Sequence, residues 1–253
     1  MSPRWHLGND VVDTLHRGSF GKAGDERFLA RVCSSFEQDR VRSSPDPDVA
    51  LWVHWAGKEA IYKSASKALG APPTFHHSSF HVVFPEHDLR DLLVNPAPEP
   101  SPLLLGEGAY QDLSFRISVE KIGSSVHAVS WLDRARGETP GFYAICLESR
   151  GETRGSVEGF EDRFSPGEWG CITHRASALT RLEARRAISA ALGVPEEGLE
   201  IRCGPGMPGR RIPSVWLGGE EIPLDLTLSH HGRFLAWAFL RGLGAEDRAG
   251  RPV

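Results

Sequence analysis

One helical segment places a glutamate and a lysine on its own apolar face, and that constrains this chain more than any other feature. The segment reads Trp55-Ala56-Gly57-Lys58-Glu59-Ala60-Ile61-Tyr62-Lys63. At 3.6 residues per turn, Leu51, Trp52, Val53, Trp55, Ala56, Ala60 and Tyr62 form one broad apolar stripe. Glu59 and Lys63 fall near its centre, and Lys58 falls towards one edge. A glutamate and a lysine four apart are ordinarily a solvated pair that contributes little. The flanking tryptophans argue against that here. A carboxylate that faces a core needs a partner to offset its desolvation, such as a metal ion, a cation or a ligand phosphate.

The rest of the chain supplies a mixed set of elements. The pattern predicts a short strand over 5–12 and a helix over 25–41 with Phe28, Leu29, Val32, Cys33 and Phe36 inward. The key helix spans 49–69 and is stopped by Gly70-Ala71-Pro72-Pro73. Phe80 to Phe84 is a short apolar strand. Phe115, Ile117 and Val119 alternate before a Gly123-Ser124-Ser125 turn and a second run over 126–132, which reads as a hairpin. Residues 142–147 form a further strand. The stretches 85–108 and 149–170 read as connections, the second being the better boundary. Beyond it, a helix over 180–192 opens on a Thr180-x-x-Glu183 capping box and closes at Gly193. A strand over 199–203 leads into a glycine-rich loop over 204–209, and a hairpin of Leu224, Leu226 and Leu228 with 234–240 turns at His231-Gly232.

With 253 residues, 40% hydrophobic and 25% charged, the chain suits one large domain or two small halves. The order of elements divides it into a first half over 1–150, a linker over 151–170 and a second α+β half over 171–253. A formal net charge of −4 and no long basic run leave no electrostatic case for nucleic acid. Cys33, Cys146, Cys171 and Cys203 lack metal-type or redox-type spacing, which fits reduced thiols in a cytoplasmic protein. No apolar run approaches a membrane span, and residues 1–10 lack a secretory apolar region.

Two other patterns take ordinary readings. Ser64-Ala65-Ser66-Lys67 matches an S-x-x-K acylation motif, but it lies where the helix simply continues and reads as helix surface. His76, His77, His81 and His87 are dense enough to suggest zinc, and a metal-dependent hydrolase built on them is one alternative. Their spacing fixes no geometry, so chance enrichment explains them better.

Three short segments carry the chemistry. Leu7-Gly8-Asn9-Asp10-Val11-Val12-Asp13 has a glycine that lets the backbone pass close to something, with Asp10 in or beside a strand. Lys58-Glu59-Ala60-Ile61-Tyr62-Lys63 lies on the key helix. Leu228-Ser229-His230-His231-Gly232 sits at the tip of an apolar hairpin, where a histidine can donate to a phosphate oxygen. Together they resemble the 4'-phosphopantetheinyl transferase superfamily, whose signatures are a G-x-D strand, a W-x-x-K-E-A-x-x-K helix and an S-H turn before an apolar strand. In the larger, surfactin-synthetase-activating type, an arginine-rich helix, a glycine-rich loop and the S-H hairpin come first. Here Leu182-Glu183-Ala184-Arg185-Arg186 and Leu228-Ser229-His230 come last. The resemblance therefore implies a circularly permuted chain, with the strand ending near Leu240 close to the strand entering Gly8. The rival is the small holo-carrier-synthase type carrying a long insertion.

The resemblance implies two similar α+β halves, a pseudo-dimer in one monomeric chain, with the active site between them. The implied reaction moves the phosphopantetheine arm of coenzyme A to a serine of an apo acyl or peptidyl carrier protein and releases adenosine 3',5'-bisphosphate. A pyrophosphate reaction of this kind calls for a divalent cation and cationic donors. Asp10 and Glu59 are the implied magnesium ligands. Asp13, three residues along a strand, points to the opposite face. Lys58 and Lys63 would hold phosphates, with Ser229 and His230 closing from the other half. Arg181, Arg185 and Arg186 would reach the 3'-phosphate. The family's G-K-P loop reads Gly206-Met207-Pro208 here, leaving Arg210 or Arg211 to replace the lysine. Glu59 is also a candidate base for the carrier serine, a use that competes with metal ligation. A catalytically silent scaffold that binds coenzyme A and carrier proteins is the alternative from another class. Residues 71–170 form a candidate surface for carrier recognition.

Overall fold

The computed structural model describes residues 5–85, 89–90, 92–93, 103–133, 140–149, 151–204 and 212–240. It is a mixed α/β structure in which every paired strand is antiparallel within its sheet. The expected strand near the start is β1 (Gly8–Asp13). The expected helix over 25–41 is two helices, α1 (Glu26–Val32) and α2 (Ser35–Arg42). They break at Ser34, which forms a reciprocal capping box with Glu37. Phe36, expected inward, is exposed beside Arg40, because the break re-aims the face it belongs to.

The key helix is α3 (Pro47–Ala68). Asp46 caps it by accepting from the Val49 N–H at 3.0 Å, and Pro47 occupies the first helical position, where a missing N–H costs nothing. Gly70, with φ +70°, ends it. After it come β2 (His81–Val83), β3 (Leu104–Tyr110), β4 (Leu113–Ile122) and β5 (Ser125–Leu132). β3 begins inside the stretch expected as a connection over 85–108. The sheet runs β1-β5-β4-β3-β2, and α3 lies across β1 and β5. Val53, Ala56, Ala60 and Ile61 of the helix bury against Ile117, Val119, Val126 and Ala128 of the sheet.

Residues from the remainder build two smaller sheets. β6 (Phe142–Glu148), β10 (Leu226–His231) and β11 (Phe234–Leu240) pair in the order β10-β11-β6. β6 falls within the span expected as the first half, yet it pairs along its length with β11. β7 (Leu199–Cys203), β8 (Pro213–Leu217) and β9 (Glu220–Ile222) form the third sheet. The expected linker contains a short helix, α4 (Pro166–Trp169). α5 (Arg175–Leu192) buries Ala184 and Ile188 with Leu235, Trp237 and Phe239. It starts a full turn before the capping box expected at Thr180. That hydroxyl instead donates to the Ala176 carbonyl at 2.8 Å, inside the helix. Gly193 closes it in the left-handed conformation, as expected.

The joint between β1 and β10 positions the site. In an antiparallel pair, alternate N–H groups point to the partner and the others point away. β1 pairs with β5 on one edge, so the N–H groups of residues 7, 9, 11 and 13 face the other edge and need acceptors. Side chains of β10 and the residue before it supply them. Leu7 N–H donates to Asp225 Oδ2 at 2.8 Å, Asn9 N–H to Thr227 Oγ1 at 3.2 Å, Val11 N–H to Ser229 Oγ at 3.3 Å and Asp13 N–H to His231 Nδ1 at 3.0 Å. The constant offset of 218 residues sets the two strands parallel.

Candidate active site

The joint opens into a cavity of about 400 Å³ lined by Asp10, Glu59, Lys63, Ser229 and His230, with Phe28, Trp52 and Trp55 along one wall. Asp10 comes from β1, Glu59 and Lys63 from α3, and Ser229 and His230 from β10, so three elements distant in sequence meet here. Asp10 Oδ1 accepts from Ser229 Oγ at 2.8 Å and from Lys63 Nζ at 3.1 Å. Lys63 Nζ also donates to the Asn9 carbonyl at 2.7 Å and the Leu228 carbonyl at 3.4 Å, which ties β1, α3 and β10 together at one ammonium. The side chains of Glu59 and Lys63 are 22% and 28% exposed. They therefore face a solvent-reached cavity rather than the middle of a core.

Lys58 does not join them. Its side chain is 0% exposed, and Nζ donates to Glu37 Oε2 at 2.6 Å, the Val32 carbonyl at 2.8 Å and the His77 carbonyl at 3.3 Å. The helical wheel put Lys58 at an edge because it could not show that α1 and α2 cover that side. Glu37 is also buried, and its other oxygen accepts from the Val82 N–H at 3.3 Å. The pair thus sits in a satisfied polar pocket.

A second cavity of about 610 Å³ shares Lys63, Leu228 and His230 with the first and extends over Lys67, His174, Ser177, Arg181 and Cys203. Of the three arginines considered, only Arg181 lines it. Arg181 is 8% exposed, donates to Ser177 Oγ at 2.6 Å, and has a buried Nε with no partner among the described residues. Arg185 turns away to Glu168 at 3.4 Å and Glu196 at 3.7 Å, and Arg186 pairs with Glu183 at 2.6 Å on the surface. Gly206, Met207, Pro208, Arg210 and Arg211 lie outside the described residues.

Asp13 is buried and lines neither cavity. Its Oδ2 accepts from Arg233 Nε at 3.3 Å and its Oδ1 from the Leu15 N–H at 3.1 Å, in keeping with the strand alternation that turned it from Asp10. The Ser64 to Lys67 segment is not helix surface. Ser64 is fully buried and donates to the His6 carbonyl, and Lys67 pairs with Asp225 and donates to the Leu226 carbonyl at 2.7 Å. Lys67 repeats the Lys63 spacing by one turn, which is the signal that could have placed it beside the joint.

Burial governs the histidines here. The His230 imidazole is pushed down to about 4, first by burial and then by the neighbouring His174, Lys63 and Arg181. It is therefore a neutral hydrogen-bonding group at pH 7, not a cation. His127, behind Asn9, is pushed down to about 4 by burial and by Lys63. The His77 imidazole is likewise held at about 4 by burial, with Lys58 and Arg31 adding to the effect. Among the described residues, no group of three or more His, Cys, Asp or Glu side chains is placed to hold a metal ion. His87, one of the clustered histidines, lies outside them. Asp10 and Glu59 are two hard-oxygen groups on one cavity. That donor set fits a magnesium ion only if substrate oxygens and water complete its shell, which is how magnesium is commonly held.

Comparison with known proteins agrees with the motifs. A holo-[acyl-carrier-protein] synthase of Chlorobaculum parvum is 26% identical over 113 residues, spanning 45% of this chain and 83% of that protein. Residues 6–129, from just before β1 into β5, match a family model. The family that the motifs resemble and the family that the model describes are the same, and over residues 6–129 this chain carries the pattern of the 4'-phosphopantetheinyl transferase superfamily.

Proposed function

We propose that this protein transfers the phosphopantetheine arm of coenzyme A to a serine hydroxyl of an apo acyl or peptidyl carrier protein, in a magnesium-dependent reaction that releases adenosine 3',5'-bisphosphate. The observation that carries the reading is the convergence of Asp10, Glu59, Lys63, Ser229 and His230 on one cavity. Coenzyme A spans the two connected cavities. Its phosphorylated nucleotide end takes the larger one, where Arg181, Lys67 and the packed rings of His174 and His230 provide donors. Its pyrophosphate lies where the cavities meet, at Lys63. Asp10 and Glu59 would hold magnesium, which supplies neutralisation of the charge that gathers on the phosphate oxygens.

Lys63 then orients the reacting phosphate from the helix, while Ser229 holds the Asp10 carboxylate in place. Glu59 would ligate the ion through one carboxylate oxygen, which leaves the other to take the proton from the carrier serine, a role commonly contributing roughly 10²–10⁴ in rate. The nucleophile comes from the partner, so the chain needs no nucleophile of its own. Phe28, Trp52 and Trp55 form a wall that keeps water from the reacting phosphate.

The two-half, permuted organisation belongs to the same proposal. It requires β11 to end beside the start of β1, and two contacts support it. Leu7 N–H donates to the Asp225 carboxylate and Leu240 N–H to the Asp225 carbonyl, at 2.8 and 3.1 Å. Leu7 also buries in one apolar cluster with Trp131 and Ala238, against which Leu240 packs. The pairing of β6 with β11 moves the proposed boundary between halves to just before β6.

Intact-mass analysis of a panel of apo carrier proteins, incubated with the protein, coenzyme A and magnesium, tests the function. One added phosphopantetheine arm, lost on chelation and nearly abolished in Glu59→Gln, is the expected result. No added mass on any carrier, together with no coenzyme A binding, would overturn the proposal.

A further inference from the structure

We propose that His77 is a positioning residue for Glu59, and that the adjacent Lys58 holds His77 in place for this purpose. The inference rests on the catalytic role proposed for Glu59. His77 lines neither cavity, and its Nε2 lies 4.0 Å from Glu59 Oε1. That nitrogen is buried and has no hydrogen-bond partner among the described residues. A buried polar nitrogen left in this way is costly, so a carboxylate oxygen 4.0 Å away is informative. With Nε2 protonated, a closure of about 1 Å makes an N–H···O bond to Glu59, and catalytic hydrogen bonds are often this long before substrate arrives.

The ring has little freedom to point elsewhere. Its centroid lies 4.1 Å from that of Trp55 and 4.3 Å from that of Phe75. Its backbone opens a short 3-10 turn, His77–Ser79, and the His77 carbonyl accepts from the Phe80 N–H at 3.1 Å and from Lys58 Nζ at 3.3 Å. Lys58 is itself fixed from the other side by Glu37 and the Val32 carbonyl. Consecutive residues of α3 therefore grip the two ends of His77: Lys58 takes its carbonyl and Glu59 faces its ring. This gives Lys58 a use in the lysine-glutamate motif although it cannot reach the cavity. It also gives a role to one member of a histidine cluster that has no metal geometry among the described residues.

The test compares wild type, His77→Phe and His77→Gln in the carrier-transfer assay, with melting temperature and coenzyme A affinity measured on each. Phe keeps the ring packing and removes the nitrogen; Gln restores an N–H at similar reach. His77→Phe is expected to lose roughly 10- to 100-fold in kcat, the scale of a displaced catalytic group, with KM for coenzyme A and melting temperature close to wild type. His77→Gln should recover a clear part of that loss. A kcat for His77→Phe within about two-fold of wild type, or equal losses in both variants, would overturn the positioning role and leave the transferase reading intact. Absence of transfer by wild type itself would instead remove the reading on which this inference rests.

Discussion

Gly8→Ala tests the packing that places Asp10. An added Cβ at residue 8 would lie 1.9 Å from the Ala60 carbonyl oxygen, 2.7 Å from the Ser64 nitrogen and 3.0 Å from the Ala60 carbonyl carbon. All three are backbone atoms of α3, so no side chain can rotate out of the way. An ordinary contact begins at 3.4 Å, and strand and helix must therefore separate by about 1.5 Å at this crossing. Overpacking a well-filled core commonly costs about 1–3 kcal/mol, and a clash confined to backbone belongs at or above the top of that range. The same shift carries Asp10, two residues on, away from Lys63 and Ser229, where about 1 Å can cost roughly 10²-fold in rate. Urea unfolding at pH 7.5 and the carrier-transfer assay are the measurements. A loss of about 3 kcal/mol and near-complete loss of transfer are expected. A variant within about 1 kcal/mol of wild type and fully active would refute the claim that Gly8 is present for this crossing.

Three further perturbations follow from the same contacts. Ser229→Ala removes the acceptor of the Val11 N–H and a donor to Asp10, and should cost about 1–3 kcal/mol with a larger fall in kcat than in coenzyme A affinity. Unchanged stability and rate would count against the joint. Lys58→Met strands the buried Glu37 carboxylate and should destabilise by about 3–5 kcal/mol, while Lys58→Met combined with Glu37→Met should recover much of this; no recovery would refute the pairing. His54 and His127 are buried with imidazoles held at about 4, against about 6.5 in the unfolded chain. The unfolded state binds their protons first as pH falls, so their neutral burial is without penalty above about 6.5 and destabilises progressively down to about 4, by roughly 3 kcal/mol each at the end. Urea midpoints at pH 7.5, 5.5 and 4.5 should fall in turn, with a shallower slope in His127→Gln. A midpoint flat between 7.5 and 4.5 would contradict the assigned burial.

Much of the candidate site could be read from residue patterns because its signals are local. The glycine of the β1 segment needs a close approach, and α3 supplies one at Ala60 and Ser64. Glu59 and Lys63 share a helical face by spacing alone, and strand alternation separates Asp13 from Asp10. The errors arise where a contact crosses between distant segments. Lys58 looked peripheral until α1 and α2 closed over it through Glu37, and nothing in the spacing of residues 37 and 58 announces a buried ion pair. Arg181 and Arg185 are one helical turn apart and look equivalent, but only the first meets the cavity, because Glu168 on α4 captures the second. α5 starts earlier than residues 180 and 183 suggest, because Thr180 and Glu183 have capping spacing without capping geometry. β6 follows the first sheet in the chain, whereas its pairing is long-range and joins it to β11.

The way the two parts of the chain are joined explains why a site forms there. A continuous sheet across β1 and β10 would satisfy the outer N–H groups of β1 with backbone carbonyls and bring the strands to about 4.8 Å, leaving no space between them. Side-chain acceptors do the same work at longer reach. Asp225, Thr227, Ser229 and His231 hold the strands in parallel register through side chains, and the cavity beside them takes Asp10, Ser229 and His230 from the strands and Trp52, Trp55, Glu59 and Lys63 from α3. Ser229 has both duties, accepting from the Val11 backbone and donating to the Asp10 carboxylate. Lys63 binds a carbonyl from each strand as well as Asp10, so the ammonium that faces the cavity is also a tie across the joint. Fold and site therefore share the same few atoms. Any movement of β10 relative to β1 changes the Asp10–Lys63–Ser229 geometry, so the proposed site and the packing of the two parts are coupled at this joint.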